Sequence, residues 1–196
     1  MSADAPPATE SGVRCFLALL PDAASRSALQ HCRDQFDGSG SQGAHGVRWL
    51  DSSALHTTLR FFGSADPAQC AHLQHALPAL ACGLPRTAAR RYAIWPNRAR
   101  PRLLVVELVA PVALSTLAHA CETLARSAGF AAELHPFRAH LTLARLRPGC
   151  VLALPQLEPL SLRFDTLALM QSHLGTSGAT YQPLATTPIP TLGVPA

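Results

Sequence analysis

The chain has 196 residues, 48% hydrophobic and 14% charged, which suits one domain with a real core and excludes a disordered chain. All 16 basic residues are Arg and none is Lys, so a P-loop cradle, a pyridoxal or Schiff-base amine and a lysyl-adenylate ligase are excluded. The net charge of +4 leans toward anionic partners without naming one.

Residues 1–12 read as a disordered tail, too polar for a signal peptide. Val13–Leu20 is an apolar run closed by Pro21, a strand. Asp22 is a good N-cap for a helix reaching about Phe36, with Ser25, Ala28, Leu29, Cys32 and Phe36 on one face. The stretch 37–46 reads as a flexible loop, followed by an extended piece at Val47–Leu50 and a strand at Leu55–Phe62. Asp66 and Pro67 open a second helix to about Leu80, striped by Cys70, Leu73, Leu77 and Leu80. An Arg-rich extended stretch at Thr87–Trp95 leads into a strand at Arg102–Leu108. A third helix spans Val112–Ala128 and is stopped by Gly129. Ala139–Leu146 is another strand, and after a proline-punctuated connector come strands at about Ser161–His173 and Ala179–Leu184. The expected domain therefore runs 13–185, with 186–196 a flexible tail.

The six Cys are scattered with no CxxC pair, which reads as reduced, mostly buried thiols in a cytoplasmic protein. The longest apolar runs are too short to span a bilayer, so no membrane association is expected.

The layout contains a repeat. A strand, a helix and a strand beginning His56-Thr57-Thr58-Leu59 form one unit, and a strand, a helix and a strand beginning His140-Leu141-Thr142-Leu143 form the same unit again. The expected fold class is α+β: two pseudo-twofold-related lobes, each with an antiparallel sheet and helices, the HxTL strands facing a central cleft. Strand alternation puts His56 beside Thr58 and His140 beside Thr142, with Leu59, Leu141 and Leu143 in the core. Chance would produce two or more HxTL motifs among nine His in roughly 0.4% of shuffles. Two imidazoles across a cleft can act as general base and general acid near neutral pH, and a Thr hydroxyl beside each can donate to a phosphate oxygen. The competing reading is two buried His satisfied by backbone groups.

The motifs, together with RCFLALLP, VRWLDSSALHTTLRFFG, RPRLLVVEL, PFRAHLTLAR and LALMQSHLGTSGATYQPL, cover about Arg14 to Leu184. In these segments the sequence resembles the two-histidine phosphoesterases, specifically the bacterial RNA 2′,3′-cyclic phosphodiesterases also called 2′–5′ RNA ligases. The connector Arg147–Pro159 departs from that pattern in being short and proline-rich. The resemblance implies that His56 is the general acid and His140 the general base, that Thr58 and Thr142 hold the phosphate, and that Arg145 occupies a basic phosphate-binding position. It also puts Ser172 and Tyr181 at the family's usual Ser and aromatic. Arg60 shares strand parity with His56 and Thr58 and is a second candidate, whereas strict alternation puts Arg145 off the His140 face.

The expected protein is an enzyme that opens an RNA-terminal 2′,3′-cyclic phosphate to a 2′-phosphomonoester with neither metal nor cofactor, as a monomer. Reversible ATP-independent 2′–5′ ligation is a further implication of the resemblance. The alternatives are a phosphodiesterase for a small cyclic nucleotide such as ADP-ribose 1″,2″-cyclic phosphate, and a non-catalytic module that binds RNA ends. Weaker signals are Arg98, Arg100 and Arg102, which could track a phosphate backbone, and Phe62, Trp49, Trp95 and Phe137, which could stack on a base. His72 and His75 lie three apart on a helix, with no third ligand at metal spacing.

Overall fold

The computed structural model describes residues 12–37, 46–175 and 178–190. The expected tail at 1–11, most of the 37–46 loop and residues 191–196 lie outside the described residues. Strand β1 (Val13–Pro21) is followed by α1 (Ala23–Asp37), β2 (Val47–Trp49), a 3₁₀ turn (Ser52–Ala54), β3 (Thr57–Ala65) and α2 (Pro67–Leu80). Then come β4 (Thr87–Asn97), β5 (Arg100–Leu108), α3 (Val112–Ser127), β6 (His140–Leu146), β7 (Ser161–Leu162), β8 (Phe164–Gly175) and β9 (Gly178–Pro188).

Local chemistry explains where the helices begin and end. Asp22 accepts a hydrogen bond from the Ser25 amide (2.7 Å), as an N-cap should. Asp66 and Gln69 form a reciprocal capping box with Pro67 at the first helical position. Gly129 takes a positive φ of 84°, so that its amide reaches the Arg126 carbonyl and the Phe130 amide reaches that of Ala125. That left-handed position suits glycine and ends α3 there.

All strand pairs are antiparallel and form two sheets, ordered β3-β1-β8-β9 and β2-β6-β5-β4-β7. Each motif strand is bonded to the first strand of its own repeat unit, β3 to β1 and β6 to β5. Helices α1 and α3 cross over. Phe36 of α1, the helix after β1, packs its ring on Trp49 and Tyr92 of the other sheet (centroids 5.5 and 4.9 Å). Helix α3, which follows β5, lies against β3, with α2 beside it against β8 and β9. This exchange knits the two halves over one main core.

Strand β1 is buried on both faces, as its unbroken apolar run requires. Cys15, Leu17 and Leu19 enter the main core, while Phe16 and Ala18 join Ala168 and Met170 in a small separate cluster. That second cluster floors the site described below.

Two boundaries differ from expectation. β9 continues to Pro188, Thr187 and Ile189 are buried, and the Ile189 amide donates to the Asp165 carbonyl (2.8 Å), so residues 186–190 belong to the fold and not to a tail. The prolines that suggested a tail are tolerated because β9 is an edge strand with one unpaired side. The second difference is that β3 starts at Thr57, which leaves His56 just ahead of the strand, after the 3₁₀ turn. All six Cys are free thiols, five of them buried, and no helix of the described residues is long and apolar enough to cross a membrane.

Candidate active site

Both motif histidines are held by the same backbone device. His56 Nδ1 lies 2.7 Å from the carbonyl oxygen of Ala54, and His140 Nδ1 lies 2.7 Å from that of Arg138, in each case two residues back. A carbonyl can only accept, so each Nδ1 carries the proton that it donates, and each Nε2 is the nitrogen left available to a ligand. Strands β3 and β6 contact one another, and the two imidazoles are near enough for His140 to bear on the charge of His56.

A β-bulge in each motif strand decides which arginine reaches the site. In β3, Thr58 pairs with Ala18 and Arg60 with Leu17, leaving Leu59 unpaired; in β6, Thr142 pairs with Val105 and Ala144 with Leu104, leaving Leu143 unpaired. The extra residue reverses the alternation beyond it. Residues four past each His, Arg60 and Ala144, therefore turn inward and are buried. Residues five past, Phe61 and Arg145, return to the face of the histidines.

Arg145 is thereby placed in the site after all. It lines an open pocket of about 380 Å³ together with His56, Thr58, Phe16, Phe61, Ser172 and Tyr181. Its Nη2 donates to the Tyr181 hydroxyl at 3.3 Å, and its Nε is buried with no partner. Arg60 is a correction. Its Nε donates to Glu122 on α3 at 2.5 Å, its Nη2 to the Ala131 carbonyl at 2.5 Å and its Nη1 to the Phe61 carbonyl. The bulge turns this side chain away from the pocket, and it ties β3 to α3.

The two half-sites have different surroundings. His56 is flanked by the rings of Phe16 and Tyr181, both at 4.9 Å. His140 stacks on Trp95 at 4.2 Å, and the Arg138 guanidinium covers the same indole at 4.1 Å. Glu107, opposite His140 in the β5–β6 register, accepts from Trp95 Nε1 (3.0 Å), Arg91 (2.8 Å) and Arg138 (3.1 Å), which fixes that stack. Burial holds both imidazoles below the usual histidine range. The Ala54 carbonyl opposes this at His56, while the nearby His140 and Arg145 reinforce it. At His140 the Arg138 carbonyl opposes the effect of burial, the Arg138 guanidinium adds to it, and the Glu107 carboxylate pulls upward.

Of the remaining candidates, Thr58 lines the pocket, and Thr142, two residues from His140, precedes its bulge on the same face. Trp95 reaches the site, whereas Phe62 packs on Phe130, Trp49 on Phe36, and Phe137 lines a cavity by Arg60. Arg98, Arg100 and Arg102 are exposed on the β4–β5 hairpin and do not line the pocket. His72 contacts Ser127, and no group of three or more His, Cys, Asp or Glu among the described residues could hold a metal. Sequence reasoning missed Arg14, Phe16, Phe61, Glu107 and Arg138. An alignment of HTTLRF with HLTLAR would have flagged Phe61 as the counterpart of Arg145.

No protein-family model matches the chain. It is 27% identical over 136 residues to an RNA 2′,3′-cyclic phosphodiesterase of Bacillus subtilis (strain 168), covering 66% of this chain and 74% of the relative. The fold superposes on TT0787 of Thermus thermophilus with a TM-score of 0.73 at 22% identity, over 90% of this chain and 97% of that one. It superposes on E. coli LigT complexed with 3′-AMP with a TM-score of 0.69 at 22% identity, over 91% and 98%. The chain shares the α+β fold of these solved structures, and the duplicated His-x-Thr-Leu strands β3 and β6 lie on that fold. In sequence it is similar to an RNA 2′,3′-cyclic phosphodiesterase.

Proposed function

We propose that the protein hydrolyses 2′,3′-cyclic phosphate ends of RNA to 2′-phosphomonoesters by acid–base catalysis between His56 and His140. The observation that carries this is the pair of imidazoles, each with Nδ1 on a backbone carbonyl and Nε2 free, beside a pocket holding the Arg145 guanidinium. His140 Nε2 takes a proton from water as its oxygen attacks phosphorus. The P–O3′ bond breaks, and His56 Nε2–H protonates the departing oxygen. Thr58, Thr142 and Arg145 donate to the non-bridging oxygens, where charge builds. The negative charge of a bound phosphate favours an imidazolium, restoring to one His the proton that burial disfavours. The chemistry calls for no cofactor, and with an RNA 5′-hydroxyl in place of water as the nucleophile the same step, P–O3′ breaking as before, is an ATP-independent and reversible 2′–5′ ligation. The relative named as an RNA 2′,3′-cyclic phosphodiesterase supports an RNA end over a small cyclic nucleotide such as ADP-ribose 1″,2″-cyclic phosphate. We place the reaction in the cytoplasm, in keeping with the free thiols, and assign it to the monomer.

A second reading exchanges the two roles. It is favoured by Glu107, which stabilises a protonated His140, whereas no carboxylate is among the groups that bear on His56.

The test is product analysis with an oligonucleotide bearing a 2′,3′-cyclic end. A 2′-phosphate formed at an undiminished rate in EDTA supports the reading. A 3′-phosphate, a requirement for a divalent ion, or tight binding without turnover contradicts it.

A further inference from the structure

The repeat is chemically incomplete at one position. Five residues past each His, just after the bulge, β6 carries Arg145 and β3 carries Phe61. The missing guanidinium arrives from the neighbouring strand: Arg14 of β1 lies with its Cζ 4.4 Å from the centroid of the Phe61 ring and lines the same pocket. Stacking on a ring face leaves the in-plane N–H groups of a guanidinium free to donate. Arg14 is exposed, and the ion pairs among the described residues do not include it.

A second observation points to a ligand in the same place. Ser172 of β8 is buried, 8% exposed, and its Oγ has no hydrogen-bond partner among the described residues where it lines the pocket. A buried hydroxyl without a partner is unfavourable in the free protein and is satisfied if a ligand accepts from it. No carboxylate lines the pocket. A guanidinium fork and a hydroxyl donor together match a phosphate. Arg145, with its buried Nε and its contact to Tyr181, is the deeper of the two guanidiniums and the one the proposed reaction uses, whereas Arg14 is the exposed one at the pocket's solvent side.

We propose that Arg14 and Ser172 form a second anion subsite, which takes the phosphate on the 5′ side of the terminal nucleotide and so separates RNA ends from cyclic mononucleotides. This rests on the RNA-end reading above. The test compares kcat/KM for three probes: a nucleoside 2′,3′-cyclic phosphate, the same compound with a 5′-phosphate, and a dinucleotide ending in a 2′,3′-cyclic phosphate. The wild type is expected to prefer the second and third by about tenfold or more. Arg14→Ala should reduce that preference to within about threefold while leaving the first probe near its wild-type rate, Ser172→Ala should reduce it in part, and Arg14→Lys should retain part of it. Equal losses by Arg14→Ala on all three probes would overturn the subsite, as would a wild type indifferent to the 5′-phosphate. A preference for the dinucleotide alone would also overturn it, by showing that a base and not an anion is read. Failure of the wild type on every cyclic phosphate would instead remove the RNA-end reading, and the subsite with it.

Discussion

Around His56 the neighbours are Phe16, Tyr181 and the apolar floor of Ala18, Ala168 and Met170; around His140 they are Trp95, Glu107, Arg138 and Arg91. The backbone beneath is the same in both, a carbonyl two residues back holding Nδ1 and a bulge at the leucine three residues on. Duplication therefore supplies the geometry, two Nε2 atoms presented alike. The unlike shells put the two imidazoles in different electrostatic fields, which the proposed division into acid and base requires. One shell is aromatic, with the Arg145 guanidinium and no carboxylate bearing on the imidazole, and the other is an ionic network whose carboxylate lies opposite the imidazole.

The two arginines of the motif strands break the comparison most sharply. Arg145→Ala is expected to lower kcat/KM about 10²-fold with little change in stability, since its one hydrogen bond within the protein is the 3.3 Å contact to Tyr181. Arg60→Ala should do the opposite, destabilising by on the order of 3 kcal/mol through the Glu122 carboxylate left without its partner, with activity per folded molecule retained. Thermal unfolding beside steady-state kinetics on both variants checks this, and an inactive, fully stable Arg60→Ala would contradict the bulge assignment.

That contrast also marks what the residues alone disclose. The helices are legible because capping is local: Asp22, Asp66-Pro67 and Gly129 announce their ends within a few residues. The His and Thr pairs are legible because a repeated tetrapeptide is improbable. Alternation assigns Arg60 and Arg145 to the wrong faces, because a bulge is set by cross-strand pairing and leaves no mark in HTTLR or HLTLA. Glu107, Arg138 and Arg14 are hidden for a related reason. Each acts across a sheet register that joins residues distant in the chain, as when Glu107 of β5 meets Trp95 of β4 and Arg138 ahead of β6.

A smaller effect sharpens the electrostatic half of the comparison. A carboxylate stabilises the imidazolium, so Glu107 raises His140, and Glu107→Gln should move the His140 limb of the kcat/KM profile to lower pH. Glu107 is not among the groups that bear on His56, so the other limb should stay in place. Because burial already holds both imidazoles down, the whole profile of the free enzyme should lie on the acid side of the ordinary histidine range. A shift of both limbs together, or of either toward higher pH, would show that Glu107 acts through the fold and not through charge.

The division of labour itself is tested most directly by exchanging the leaving group. On a cyclic ribose phosphate, His56→Ala and His140→Ala should each lose ~10²–10⁴-fold. A nitrophenyl phosphodiester departs as a stable anion and needs no proton, so there His56→Ala should recover most of its loss while His140→Ala, lacking its base, stays impaired by the same factor. Recovery of His140→Ala instead would exchange the two roles, in line with Glu107 beside it. Equal recovery of both variants, or of neither, would contradict an acid and a base divided between the two strands.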